Sequence, residues 1–144
     1  MMKLLQLILL LAYVALVTAR FQIRTAEDAR IAHGECRAEF NIPDEVYEKF
    51  LNYEFVAHRR TNCYVKCFTE KMGLFTEEKG FDEKAIIAQF TGKNTKNLAK
   101  VSHGLEKCID HNEHESDTCT WANRVFSCWI SVNRPIVRKA YIQN

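Results

Sequence analysis

Six cysteines, Cys36, Cys63, Cys67, Cys108, Cys119 and Cys128, all downstream of an apolar leader, constrain this chain more than any other feature. The leader is Met1-Met2-Lys3 followed by a run from Leu4 to Val17, a basic start and an apolar stretch shorter than the ~20 residues of a membrane span. Val17-Thr18-Ala19 supplies small or permissive side chains in the usual cleavage geometry. Residues 1–19 therefore read as a signal peptide and residues 20–144 as the mature domain. An even number of thiols behind such a leader implies an oxidising, extracellular compartment and paired rather than catalytic cysteines. Connectivity does not follow, because six thiols admit more than a dozen pairings.

The chain has 144 residues, about one domain on size alone, with a formal net charge of +2. Lys3 is the single charge in the leader, so the mature chain carries +1. Such a balance gives no electrostatic ground for binding nucleic acid or for stable membrane insertion.

No stretch alternates polar and apolar residues between hairpin turns, whereas helical signals recur. Thr25-Ala26-Glu27-Asp28 has the form of a capping box and opens a helix to about Phe40; Asn41-Ile42-Pro43-Asp44 breaks it and caps the next. That second helix carries Val46, Phe50 and either Tyr53 or Leu51 on one side. A third spans roughly Thr61 to Met72, with Cys63, Cys67 and Phe68 inward and Gly73 as its left-handed stop. Leu74-Phe75 enters a turn; Asp82 then caps a short helix showing Ile86, Ile87 and Phe90 before Gly92. From Thr95 to His111, Leu98, Val101, Leu105, Cys108 and Ile109 follow one buried stripe. Asp117 caps a sixth helix bearing Cys119, Ala122, Phe126 and Trp129, which Pro135 is expected to end. The fold class is thus all-α, in one unit without repeats.

The cysteine frame is C-x26-C-x3-C-x40-C-x10-C-x8-C, and its x3 step sets Cys63 and Cys67 one helical turn apart on one face, free to tie different neighbours. Cys119 and Cys128, about two and a half turns apart, also need different partners. This frame, with Lys71-Met72-Gly73-Leu74-Phe75 after the third cysteine and Asp117-Thr118-Cys119 leading to Ala122-Asn123-Arg124-Val125-Phe126-Ser127-Cys128, resembles the insect odorant-binding protein family of pheromone and general odorant-binding proteins. One departure is the x10 between Cys108 and Cys119, longer than is common in the family. The resemblance implies pairing of Cys36 with Cys67, Cys63 with Cys119 and Cys108 with Cys128. It also implies a six-helix, disulfide-stapled orthogonal bundle around an internal hydrophobic cavity, and carriage of odorants, pheromones, fatty acids or similar molecules.

The chain is rich enough in large apolar side chains to line such a cavity of roughly 300 to 1,000 Å³. From its first half the candidate ligand contacts are Phe50, Phe55, Met72, Leu74 and Phe75, with Phe81 beside them. The middle helices offer Ile86, Phe90, Leu98, Val101 and Leu105; the sixth offers Trp121, Val125, Phe126 and Trp129. Beyond Pro135, Val137 and Tyr141 belong to a tail whose Ile136, Val137, Tyr141 and Ile142 alternate with Arg138, Lys139 and Gln143, an apolar edge suited to closing a cavity mouth.

The expected partner is a small apolar or amphipathic molecule, with a chemoreceptor or a second copy of the chain as candidate macromolecular partners. No cofactor is required. His111 and His114, three apart among Asp110, Glu113 and Glu115, have the look of a metal site but stand in a polar loop without a third imidazole in reach. His33, His58 and His103 are placed by default on the surface. No Gly-x-Ser-x-Gly elbow, His-Glu-x-x-His helix or glycine-rich phosphate loop occurs, so no catalytic residue is assigned. The rival to a carrier is a secreted interaction protein whose helices close on a solid core.

Overall fold

The computed structural model describes Gln6, residues 21–92 and residues 95–142, without the side chains at positions 95, 141 and 142. The leader apart from Gln6, and the Tyr141 side chain, therefore lie outside the described residues.

Helix α1 (Ala26–Glu39) opens with the expected reciprocal cap: Asp28 N–H donates to Thr25 Oγ1 at 3.1 Å and Thr25 N–H donates to the Asp28 carboxylate at 2.8 Å. Helix α2 (Asp44–Leu51) starts differently from expectation. Pro43 holds the cap position with no side-chain hydrogen bond, while Asp44 sits inside the first turn and pairs with Arg37. Helix α3 (Arg59–Lys71) begins two residues earlier than its threonine suggests, because His58 accepts from Arg60 N–H and donates its own backbone N–H to Thr61 Oγ1. Histidine is outside the usual cap set. Gly73, at φ +70°, follows the end of this helix.

The expected turn after Leu74 is a short antiparallel ribbon, β1 (Phe75–Thr76) with β2 (Gly80–Phe81). Gly80 has φ +76°, and a Cβ there would stand 2.4 Å from Trp121 Cζ2. The indole occupies the space that any other residue's side chain would need. Asp82 caps α4 (Glu83–Thr91) by accepting from Ala85 N–H at 3.0 Å. The periodic segment that follows divides into a 3-10 turn (Thr95–Asn97) and α5 (Leu98–Cys108).

Asp117 caps α6 (Thr118–Ile142), as expected, through Thr120 N–H at 3.1 Å. Pro135 does not end this helix. It has no N–H for the carbonyl one turn back, and Asn133, fully buried, absorbs the mismatch by leaving helical geometry at φ −116°, ψ 17°. Its side-chain amide donates to Trp129 O at 3.2 Å, so the chain kinks and continues as helix.

Helix α6 packs along α3 and also meets α1, α4 and α5, so it forms the centre of the bundle. Three disulfides fasten this arrangement: Cys36–Cys67 ties α1 to α3, Cys63–Cys119 ties α3 to α6, and Cys108–Cys128 ties α5 to α6, with Cα separations of 5.8, 4.5 and 5.6 Å. This is the pairing that the family resemblance implies. Each bond contributes about 2–4 kcal/mol against the unfolded chain. Asn123 adds a buried polar clip by donating to Asn62 Oδ1 at 2.9 Å. The Gln89 amide pairs with both backbone groups of Arg24, at 2.8 and 2.9 Å, holding the segment before α1 against α4. Among the described residues no helix is long and apolar enough to cross a membrane.

Candidate ligand-binding cavity

Four helices and one connector fail to close on each other, leaving a cavity of about 300 Å³. Helix α1 presents Ala26, Ala29, Arg30 and His33 to it, one stripe at helical spacing. Helix α2 contributes Tyr47, Phe50 and Leu51; the connector adds Tyr53 and Phe55; α3 adds Tyr64, Val65 and Phe68. From α6 come Phe126 and Ile130 before the kink and Val137 after it. Continuation of the helix past Pro135 is therefore what brings the tail to the cavity, and Ile136 and Val137 are buried. The cavity is not sealed. Leu51, 47 % exposed, and the solvent-facing Arg30 mark its mouth.

Aromatic edges and faces build most of the wall. Phe50 lies 4.7 Å from Tyr64 and 5.6 Å from Phe55, centroid to centroid, and Phe126 lies 5.8 Å from Phe55 and 6.0 Å from Phe68. Rings of this kind give large apolar area with few rotamers to freeze when a guest enters.

One polar pair interrupts the apolar surface. His33 Nδ1 and Tyr64 Oη are 2.6 Å apart, and the imidazole stacks on Phe68 with centroids 4.0 Å apart. Burial pushes the His33 pKa down to about 4 and raises that of the Tyr64 phenol, so both are uncharged at neutral pH. Tyr53 is also raised by burial, with Arg138 and Arg134 opposing. Two further cations at the cavity are engaged with acids: Arg30 forms two hydrogen bonds to Glu27, at 2.6 and 2.7 Å, and Arg37 pairs with Asp44 beside the Tyr47 ring, while Arg134 donates to Tyr53 O at 3.3 Å.

Of the residues expected from sequence to touch ligand, Phe50, Phe55, Phe126 and Val137 line this cavity. Leu74, Ile86, Phe90, Leu105, Val125 and Trp129 gather instead, with Phe81, around an inner void of about 10 Å³ that shares Phe126 as a wall. Phe75 and Trp121 form a separate small core with Val125. Met72 and Val101 are packed solid, and Leu98 is 41 % exposed, because the apolar stripe of its helix begins one turn later than the sequence suggests. Sequence reading missed Arg30, His33, Tyr47, Tyr64, Val65 and Ile130 as wall residues, and placed Leu51, Tyr53 and Phe68 on inward helix faces without assigning them to ligand. A usable signal existed on α1, where Ala26, Ala29 and His33 run at three-four spacing into Cys36, but alanines and a histidine register weakly as an apolar stripe. His33 departs from the surface position expected of it, whereas His58 and His103 are exposed.

The loop with His111 and His114 is held by other groups. Arg124 grips Asp110 with two hydrogen bonds, at 2.8 and 3.0 Å, and reaches Ser116 Oγ at 2.8 Å. This guanidinium holds the Asp110 carboxyl below the usual range. His111 and His114 point to solvent, and among the described residues no group of three His, Cys, Asp or Glu side chains is arranged to hold a metal ion.

Known proteins share this fold. The locust Locusta migratoria odorant-binding protein 1 superposes with a TM-score of 0.62 at 14 % identity, over 86 % of this chain and 95 % of that one. A fatty acid binding protein, OBP56a, from the oral disk of the blowfly Phormia regina gives 0.58 at 20 % identity, over 76 % and 91 %. In sequence, general odorant-binding protein 99a of Drosophila melanogaster is 30 % identical over 88 % of this chain and 89 % of its own, and odorant-binding protein 22 of Aedes aegypti is 32 % identical over 88 % and 90 %. A model of the PBP/GOBP family matches residues 18–132, a span that takes in all six cysteines and every helix up to the kink, and the chain belongs to that family.

Proposed function

We propose that this chain is a secreted, non-catalytic carrier: residues 1–19 are removed, and the mature protein takes up a small apolar or amphipathic molecule, holds it in extracellular fluid and releases it. The observation that carries this reading is the aromatic-walled cavity of about 300 Å³ in a member of a family of odorant-binding proteins. A solid-core interaction protein would have no use for it. The relatives are named for odorant binding and the blowfly neighbour for fatty acid binding, which fits the same class of guest. The three disulfides and the apolar leader support an oxidising, extracellular setting.

Burying about ten methylenes yields roughly 8 kcal/mol, and association takes several of these back. Micromolar binding, about 8 kcal/mol, therefore needs preorganised walls and at least one polar contact. Displacement of a fluorescent apolar probe by long-chain alcohols, esters or fatty acids tests the reading, with mass spectrometry of compounds extracted from the natively purified protein to identify the guest. A protein that neither takes up the probe nor yields a bound compound is not a carrier. Delivery to a chemoreceptor and pairing of two copies extend the same proposal; sedimentation of the protein with and without guest reads the second.

A further inference from the structure

We infer that the His33–Tyr64 pair is the anchor for an uncharged oxygen of the guest, so that the cavity has a built-in place for an alcohol, aldehyde or ester group that an ionised carboxylate cannot use. This rests on the carrier reading above and specifies the chemistry of the same site.

Both side chains line the cavity, and Tyr64 is only 1 % exposed. Their mutual contact, 2.6 Å between Nδ1 and Oη, consumes one donor hydrogen and one lone pair. Whichever ring nitrogen carries the proton, the neutral pair retains one hydrogen to give and at least one phenolic lone pair to accept. Among the described residues no second protein hydrogen bond to either side chain accompanies it. Around them stand Phe50, Phe68 and Val65, which offer no polar side-chain atom, and Tyr47, whose ring centroid lies 6.1 Å from that of the imidazole and whose hydroxyl is a further polar group of the wall. An oxygen entering this spot exchanges water for a hydrogen bond, whereas a hydrocarbon end leaves the pair as it was.

A carboxylate fares differently. Its charge needs a cation or several donors once it leaves water, and the imidazole is held neutral by its own burial. Of the guanidiniums by the cavity, Arg30 is committed to Glu27 at the mouth and Arg37 to Asp44 and the Tyr47 ring, while Arg134 and Arg138 act on Tyr53 and not on Tyr64. An acid that binds at neutral pH accordingly keeps its head at the solvent-facing mouth, away from Tyr64.

The test uses the mature protein with its disulfides intact, its Tyr64→Phe variant, and three ten-carbon probes, 1-decanol, decane and decanoate, at pH 7.5. Phenylalanine fills the same volume, so only the hydroxyl is lost. The expected result is a loss of about tenfold in affinity for decanol, with decane and decanoate changed less than twofold. In the unmutated protein labelled at tyrosine Cζ, decanol shifts the Tyr64 resonance and decane does not, which reads the contact without any substitution. Decanol affinity that survives the substitution, or an equal loss for all three probes, overturns the anchor while leaving the carrier intact. Failure of every probe to bind overturns both.

Discussion

The half-buried, neutral His33 makes acid stability a direct measure of the cavity wall. In the folded chain its pKa lies at about 4 against an ordinary 6.5, with burial as the cause. Below pH 6.5 the unfolded chain therefore takes up a proton that the folded chain refuses until about pH 4. Stability from this group is complete above pH 6.5 and is lost as the pH falls. The difference is about 2.5 units at 1.36 kcal/mol each, roughly 3 kcal/mol by pH 4 and about 1.4 kcal/mol by pH 5.5. His33→Asn supplies the reference, because its amide oxygen offers an acceptor near the Nδ1 position and carries no titrating proton. Absolute stabilities of the two proteins will differ, since asparagine gives up the stack on Phe68, so the quantity to compare is the change with pH. Urea unfolding of both proteins at pH 7.5, 5.5 and 4.5, disulfides intact, should show the wild type losing about 1.4 kcal/mol more than the variant by pH 5.5 and about 2–3 kcal/mol more by pH 4.5. Carboxylates such as Asp28, Asp110 and Asp117, held low by their hydrogen bonds, add an acid loss common to both. Parallel pH profiles would refute the reasoning, for they would mean that the imidazole is as easily protonated in the fold as in water.

Gly80→Ala should cost about 2–4 kcal/mol, from the left-handed backbone and the displaced Trp121 ring together, whereas Gly34→Ala, with nothing within 4 Å of its Cβ in mid-helix, should gain about 0.5–1 kcal/mol; denaturant midpoints of equal sign would count against the geometry. Phe126→Ala removes the ring shared by the cavity and the inner void, costs about 3–5 kcal/mol, and should alter affinity for every bound probe; a folded variant with unchanged affinities shows that the guest sits elsewhere. Deleting residues 136–144 strips Val137 from the wall and should weaken binding and speed release with little loss of helix elsewhere, read by probe displacement and stopped-flow; unchanged affinity and release rate would remove the tail from the site.

What could be read from the sequence, and what could not, divides along physical lines. Caps made by Thr25, Asp82 and Asp117 act over three residues, so their hydrogen bonds were legible in the order of side chains. The cysteine frame carried the long-range topology through its resemblance to a family. Helix α6 past Pro135 was not legible, because the cost of the missing N–H is met by Asn133, whose burial is a tertiary property. The wall of the cavity escaped for a related reason. Apolar periodicity tells which face turns inward but not whether the inward face meets a neighbour or a space, and so Met72 and Val101 looked as eligible as Phe50 and Phe126. His33 was invisible as a wall residue because a lone histidine has no periodic signature of its own.

The placement of the sulfurs sets which parts of this molecule can open without consequence. All three bonds fall between residues 36 and 128, and α6 is bonded only through Cys119 and Cys128, both in the half before its kink. The remaining half, which brings Val137 to the cavity, carries no disulfide and meets the rest through side-chain packing, the joint at Asn133 and a hydrogen bond from Arg134 to Tyr53 O at 3.3 Å. Excursions of that half are thus local events that leave the covalent frame in register, so the chain can empty and refill repeatedly while its topology is never at risk. If a guest leaves past Val137 rather than through the mouth at Leu51 and Arg30, its residence time is expected to change with substitutions near the joint that touch neither the cysteines nor the aromatic wall.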